Sequence, residues 1–295
     1  MNPSSPIRGL LALLRLPYWL MTGGLSLLTA FAITKSMIEP LNILLIFFSM
    51  AFITSAGFAI NDYFDRESDA VIKPKRPIPA GSLSLKQVVA VSGVLFALGL
   101  VMAFFINWLS FAIIAADSSL LLVYSYMVKR KSGFIANILV GILTGTAFLY
   151  GQASISGTLT LISLSLYPIA FGTIGGNVLR DVLSVEGDSK VGYPTLPQKI
   201  GNYNATKVGA VFFLLTGLLA PLPALPLFQN HFTVYYLPLI LLWSALLIYS
   251  SIRLITSGSS LQNVRKYERI VTMSMMLLPL ALIIEALVPL IGGLL

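Results

Sequence analysis

Asn61, Asp62, Asp65, Glu67 and Asp69 crowd into the stretch NDYFDRESD, directly after the apolar run LNILLIFFSMAFITSAGFAI. Asn61, Asp65 and Asp69 stand at i, i+4 and i+8; if the helix continues through them they drift about 40° per step and share one face. Three oxygen ligands then point one way. A second acidic stretch, DVLSVEGDSK, sets Asp181 and Asp188 two turns apart on one face, with Ser184 between them. Each stretch has the make-up of half a hard-cation site, because Mg²⁺ takes oxygen ligands, keeps several waters and is usually held by one or two carboxylates plus substrate phosphates. The interleaved cations Lys73, Arg76, Lys129, Arg180 and Lys190 suit the remaining phosphate oxygens, Arg bidentately and Lys as a point charge. Acids and bases after an apolar helix are often no more than a solvated loop. Two such clusters with helical spacing argue for a diphosphate pocket instead.

The elements that must position them are membrane helices. Hydrophobic residues make up 57% of the 295 and charged residues only 10%, with a mean hydropathy of +0.88, whereas an ordinary soluble domain is about 25% charged. Spanning helices need about 20 apolar residues each, and the chain offers nine such runs, near 17–34, 41–61, 87–107, 109–128, 134–155, 158–179, 206–226, 233–252 and 270–292. The expectation is an all-α integral membrane protein, its nine helices bundled around a central cavity that opens to the cytoplasmic side and laterally to lipid. No Pro/Gly/Ser-rich linker divides the chain, so residues 1–295 read as one domain.

Charge sets the orientation. With the N-terminus inside, every one of the 19 Lys and Arg residues except Lys35 falls on the inner side, as the positive-inside rule requires. This puts the N-terminus and both acidic loops in the cytoplasm and the C-terminus outside. It also makes the net charge of +8 a topology signal and not a nucleic-acid footprint. The start, MNPSSPIRGLLALLRLPYWLMTGG, mimics a signal peptide but lacks a small-x-small cleavage site, and is read as retained. There is no cysteine and one histidine, His231, which excludes thiolate chemistry, disulfides and Cys- or His-based zinc sites. His231 is read as an outer loop residue. Asp117 and Glu285 lie at membrane depth and are functional suspects by default, Asp117 as a polariser of the acceptor cavity or a hydrogen-bond partner of a neighbouring helix, Glu285 as structural. Glycines 141, 145, 151, 172, 175 and 176 serve either a slot for an apolar tail or close helix packing.

The stretch NDYFDRESDAVIKPKRPIPAG resembles the first signature of the UbiA superfamily of intramembrane prenyltransferases, N-D-x-x-D-x-x-x-D followed by R-P-x-P-x-G, and matches at every motif position. DVLSVEGDSKVGYPTLP is similar to the second signature, and YSYMVKRKSGFIANILVGILTG to the family's connection between helices 4 and 5. The resemblance implies that Asn61, Asp65 and Asp69 ligate Mg²⁺ on one side of an isoprenoid diphosphate and that Asp181 and Asp188 do so on the other. It further implies that Asp62 supports the first set, that Lys73, Arg76, Lys129 and Lys190 hold phosphate oxygens, and that Tyr124 and Tyr193 line the pocket near the reacting carbon. Many members carry aspartate where this chain has Ser184, which leaves Asp181 or Glu186 as the partner of Asp188.

The reaction so implied is ionisation of an allylic diphosphate, whose leaving group the metal and fixed cations stabilise, and capture of the carbocation by an acceptor. The pairing of NDYFD, KPKRPIP and VEGD with TLP looks most like the archaeal ether-lipid branch, the digeranylgeranylglyceryl phosphate synthases, which transfer a geranylgeranyl group onto geranylgeranylglyceryl phosphate. That branch usually has an Arg-Glu pair where this chain has Gly176-Asn177. An aromatic acceptor such as 4-hydroxybenzoate is the alternative. A secondary transporter or lipid carrier is the reading from another class, since carriers also place acids in membranes.

Overall fold

The structure is a computed structural model that describes residues 5–190, 192–228, 232–257 and 260–292, with side chains as far as 287. Among the described residues nine helical segments are long and apolar enough to cross a membrane: α1 Pro6–Thr34, α2 Pro40–Phe64, α3 Leu85–Ile106, α4 Trp108–Lys131, α5 Gly133–Ser156, α6 Leu161–Lys190, α7 Leu196–Ala224, α8 Leu237–Thr256 and α9 Leu261–Leu287. Their number equals the number of apolar runs, and the protein is a multi-pass, all-helical membrane protein.

The ends differ from the hydropathy limits in a consistent direction. Helix α6 runs on to Lys190, α7 starts at Leu196 and α9 at Leu261, although apolarity stops or starts well inside these limits. Hydropathy marks where a helix leaves lipid, whereas backbone hydrogen bonding carries it further into polar surroundings. The second acidic cluster is therefore helical, which fixes its geometry. Helix α1 likewise begins at Pro6, earlier than its apolar run, and is broken at Arg15, whose φ of 49° and ψ of 52° lie in the left-handed region.

Two larger cores hold the bundle. One, among α6, α7, α8 and α9, is built on Phe213, Tyr236, Trp243 and Tyr267; the other joins α1 to α5 through Ile46, Ile53, Ile114 and Tyr150. A small third core of Leu13, Ala59, Leu83 and Val88 clamps the broken end of α1 to α2, α3 and the turn between them. Most of the glycines expected either to line a slot or to pack do the latter: a Cβ on Gly151 would lie 2.5 Å from the carbonyl oxygen of Ser26, and one on Gly175 2.7 Å from that of Gly209. Gly176 is the exception, buried yet facing open space.

At the end of the bundle opposite the acidic clusters, Glu285 is fully buried. It pairs with Lys35 Nζ at 2.7 Å and accepts hydrogen bonds from the amide and hydroxyl of Thr233 at 2.8 to 3.0 Å. Lys35 is thus the counter-ion of a buried acid, which accords with the structural reading of Glu285. His231 lies outside the described residues.

Candidate active site

Helix α2 ends at Phe64, and Asp65, with φ −85° and ψ 1°, joins it to a short helix, Arg66–Ile72. The i→i−4 ladder survives the joint: the amides of Asp65, Asp69 and Lys73 donate to the carbonyls of Asn61, Asp65 and Asp69, each at 2.8 Å. Asn61, Asp65 and Asp69 therefore keep one face even though the helix is not continuous. Asp65 and Asp69 are each 4% exposed, and buried charges persist only where they are paired.

Asp65 is the hub. Its Oδ2 accepts from Asn61 Nδ2 at 2.8 Å and from Lys129 Nζ of α4; its Oδ1 accepts from Tyr193 Oη at 2.7 Å. Lys129 also sits 4.9 Å above the Tyr193 ring. Arg76 Nη1 bridges Asp69 Oδ2 at 2.5 Å and Asp62 Oδ1 at 2.8 Å, and Arg15 Nη2 reaches the same Asp62 oxygen at 2.6 Å. Arg76 is aimed by the motif that follows it. In RPIPAG the amide of Ala80 donates to the carbonyl of Arg76 at 2.9 Å and that of Gly81 to Ile78 at 3.0 Å, a tight turn that Gly81 closes with a φ of 71°, where only glycine is unstrained.

The second cluster is carried by α6. Because that helix is unbroken through Lys190, about 100° per residue puts Asp181 and Asp188 within roughly 20° of each other and Glu186 on the far side; Glu186 is exposed. Asp181, not Glu186, shares a face with Asp188. Ser184 Oγ donates to Asp188 Oδ2 at 2.6 Å, so it orients this carboxylate in place of a further acid. Asn137 Nδ2 of α5 donates to Asp181 Oδ2 at 2.7 Å. Lys129, bonded to Asp65, also acts electrostatically on Asp181, and Tyr124 lies within Coulombic reach of Lys129, Asp65 and Asp181 together. Tyr124 opens a π turn, Tyr124–Val128, in α4, a distortion common at functional sites.

The structure thus brings together Asn61, Asp62, Asp65, Asp69, Arg76, Lys129 and Tyr193 by direct bonds. It sets Lys190 beside Tyr193 and Ser68 in an open cleft of about 370 Å³, and Lys73 in another of about 440 Å³ with Arg15, Lys75 and Arg76. Among the described residues no three acids gather closely enough to hold one ion by themselves, so the two acidic faces are not joined into a single ligand shell. Burial by surrounding protein and the nearby Arg76 push the Lys73 ammonium below the ordinary lysine pKa, although its surface stays solvent-accessible. Burial also raises the Tyr193 phenol, which Asp65 reinforces; it remains a proton donor to Asp65 at neutral pH.

Does this donor set fit Mg²⁺? The ligands are all oxygens, and Asn61 Oδ1 is buried with no hydrogen-bond partner, while its amide nitrogen is committed to Asp65. A buried acceptor without a donor is disfavoured unless a cation or water satisfies it. The fit is good.

Sequence reasoning passed over Arg15, Ser68, Arg130 and Asn137. Arg15 was legible, since an arginine between apolar runs at the membrane edge is a suspect on the same grounds as Asp117. Ser68 and Arg130, which contact Tyr193 Oη at 2.7 Å and the Phe64 carbonyl at 2.9 Å, have no such signal. Asp117 lies apart from the cluster, 3% exposed, accepting from Thr146 Oγ1 of α5 at 2.7 Å.

Comparison with known proteins gives a consistent picture. Residues 20–278 match the sequence model of the UbiA prenyltransferase family. A digeranylgeranylglyceryl phosphate synthase of Natronomonas pharaonis is 36% identical over 219 residues, covering 74% of this chain and 78% of that protein. The synthase of Methanopyrus kandleri is 36% identical over 228 residues, covering 77% and 81%. A solved structure of a digeranylgeranylglyceryl phosphate synthase superposes with a TM-score of 0.80 at 28% identity, over 95% of this chain and 98% of that one. A UbiA homolog from Archaeoglobus fulgidus, bound to DMAPP and Mg²⁺, shares the fold with a TM-score of 0.65 at 23% identity, over 92% and 98%.

Proposed function

This chain belongs to the UbiA prenyltransferase family, and from that premise we propose that it transfers a geranylgeranyl group from its diphosphate to geranylgeranylglyceryl phosphate, at a Mg²⁺ site on the cytoplasmic side of the membrane. That it is a membrane-embedded prenyltransferase follows from the family. The acceptor reading is supported by relatives above one-third identity that are named for this synthesis, and the Mg²⁺ by the oxygen donor set and by the homolog bound to it.

Asn61, Asp65 and Asp69 would hold metal on one side of the diphosphate and Asp181 and Asp188 on the other. Bound there, Mg²⁺ would supply positive charge where the leaving diphosphate gains negative charge. Lys129, Lys190 and Arg76 would donate to phosphate oxygens. The C–O bond to the diphosphate breaks, the acceptor's hydroxyl oxygen bonds to the allylic carbon, and the hydroxyl proton leaves to solvent late, so no strong general base is required. Tyr193, a donor to Asp65, and Tyr124 shape the pocket around the reacting carbon. The open space beside Gly176 supports a tail slot between helices. The cationic face near Asp65 and Asp181 sits with the cytoplasmic N-terminus and the C-terminus lies outside, on the charge asymmetry of the loops.

The observation that carries this reading is the Asn61–Asp65–Asp69 row, with its unpartnered Asn61 oxygen, ringed by bases. The test is prenyl transfer in detergent with labelled geranylgeranyl diphosphate and Mg²⁺, offering geranylgeranylglyceryl phosphate and 4-hydroxybenzoate side by side, with Asp65→Ala in parallel. A lipid product absent in Asp65→Ala is expected. An aromatic product would replace the acceptor, and no product with no Mg²⁺-dependent diphosphate binding would overturn the enzyme in favour of a carrier.

A further inference from the structure

Two clefts flank the metal-binding row, and their walls are different faces of the same segment. At about 100° per residue, Phe64, Glu67, Ser68 and Val71 lie on one side of the Asn61–Ile72 segment, Asp62 and Asp69 lie on the other, and Asn61 and Asp65 fall between. The first side walls the cleft that contains Tyr193, Lys190 and Arg130. The second faces the cleft that contains Arg15, Lys73, Lys75 and Arg76, with Asp62 in its lining. The row is linked to both, since Asp65 accepts from Tyr193 on one side and Asp69 from Arg76 on the other.

The second cleft has the charge and the surroundings of a lipid-phosphate subsite. Four cations face it, and Asp62, the acid in its lining, is already shared between Arg15 and Arg76; Arg76 also meets Asp69. Lys75 makes no hydrogen bond or ion pair among the described residues and is exposed. The cleft is also bounded by α1, whose Leu11, Leu16 and Tyr18 are 51%, 42% and 41% exposed on a helix that spans the membrane. A headgroup seated here has an apolar helix flank beside it for its chain. The left-handed backbone of Arg15 turns this guanidinium from the lipid-facing helix towards Asp62.

We propose that the Arg15–Lys73–Lys75 cleft binds the phosphate of the isoprenoid glycerol acceptor, opposite the cleft that receives the donor diphosphate. The inference rests on the acceptor reading above and adds where its headgroup sits. In that acceptor the phosphate and the reacting hydroxyl are on adjacent glycerol carbons, so a phosphate held in this cleft brings the hydroxyl to the near edge of the Asp65–Asp69 row, where the donor carbon ionises. Lys73 then belongs to the acceptor and not to the donor.

The experiment separates the two substrates. Steady-state kinetics in neutral detergent, free of anionic phospholipid, would compare wild type with Lys75→Gln, Lys73→Gln/Lys75→Gln and Arg130→Gln. Lys75→Gln is expected to raise KM for geranylgeranylglyceryl phosphate about tenfold, one charge-assisted contact at the weak end of its range, while KM for geranylgeranyl diphosphate stays within about twofold. The double variant raises it further, and Arg130→Gln raises the donor KM instead. A Lys75→Gln effect on the donor, or on neither substrate, overturns the assignment. Calorimetric titration of geranylgeranylglyceryl phosphate without donor decides the point even if no lipid product forms: binding weakened in Lys75→Gln upholds the subsite while the acceptor reading falls, and binding absent or unchanged in the variant overturns it. Dioleoyl phosphatidic acid bound as tightly as the acceptor would make the cleft a general lipid-phosphate site and would also overturn it.

Discussion

Lys129 and a divalent cation compete for Asp65 Oδ2, so Lys129→Met is expected to tighten Mg²⁺ binding while it slows turnover. The ammonium is about one-quarter exposed and the carboxylate 4%, so neither is fully screened. Two unit charges about 4 Å apart at an effective dielectric of about 20 attract by roughly 4 kcal/mol. Desolvation of a buried pair offsets much of this, leaving on the order of 1 to 2 kcal/mol for an incoming cation to overcome. Removing Lys129 should therefore tighten Mg²⁺ binding about tenfold, since a tenfold change is about 1.4 kcal/mol. The same variant leaves Asp65 buried with its hydrogen bonds from Asn61 and Tyr193 but without a counter-ion, a loss of about 3 kcal/mol of stability that saturating Mg²⁺ should restore. Turnover should fall about a hundredfold, the scale on which loss of one fixed group aimed at developing charge is felt. Titration calorimetry with MgCl₂ and no diphosphate, thermal unfolding with and without Mg²⁺, and single-turnover transfer read the three effects. If Lys129→Met binds Mg²⁺ no better than wild type, or worse, Lys129 is not a competitor for the metal ligand and the exchange of partners is refuted.

Ser184→Ala should lower kcat about three- to tenfold by releasing Asp188 from one solvent-exposed hydrogen bond, a smaller loss than Asp188→Asn causes; equal losses would mean that Ser184 itself acts at the substrate. Lys35→Met strips the counter-ion from the fully buried Glu285 and should cost about 3 kcal/mol, seen as a lower Tm in detergent with transfer at 25 °C unaffected, because the pair lies at the opposite end of the bundle. Lys73 binds a proton less readily in the folded state than in the unfolded one. Its charge therefore opposes folding slightly below its lowered pKa and ceases to do so as pH rises towards its ordinary value, so Lys73→Met should be mildly stabilising at neutral pH. Phosphate affinity that depends on Lys73 runs the other way, present at low pH and lost as pH rises through a value under 10.5, and Lys73→Arg should move that alkaline limb upward in a binding titration.

The Asn61–Asp65–Asp69 face was legible because it depends only on local spacing, and its ladder of i→i−4 bonds persists through the joint at Asp65. Asp181 and Asp188 were legible for the same reason, but the choice against Glu186 was not, since it requires knowing that α6 stays helical past the point where apolarity ends. Lys129 could be assigned to phosphate from the family pattern, yet nothing local announces that its neighbour is Asp65, some sixty residues away. Asn137 against Asp181 is equally tertiary. Arg15 counts in the sequence as one of the charges that suggest a topology and, as an arginine at the membrane edge, as a suspect, but its bond to Asp62 depends on a backbone conformation that composition does not register.

That conformation belongs to a pattern. Departures from regular α-helix near the site include those at Arg15, at Asp65, at the π turn Tyr124–Val128 and at Gly192, whose φ is 72°. Non-helical backbone at a membrane helix is tolerated where protein or water satisfies the freed groups, so its presence here marks the end of the bundle that is wetted and lined by polar side chains. Each departure also does something that a straight helix does not. Left-handed Arg15 sends its guanidinium to Asp62, the joint at Asp65 keeps the ligand row in register while the chain changes course, the π turn lies between Tyr124 and Lys129, and the Gly192 turn returns Tyr193 to Asp65. A straight α-helix offers one stripe of side chains per face, too few directions for two anionic groups and their metal. Breaking four segments at one level supplies the missing directions, and the three breaks at Arg15, Asp65 and Gly192 sit beside the residues on which the two clefts divide.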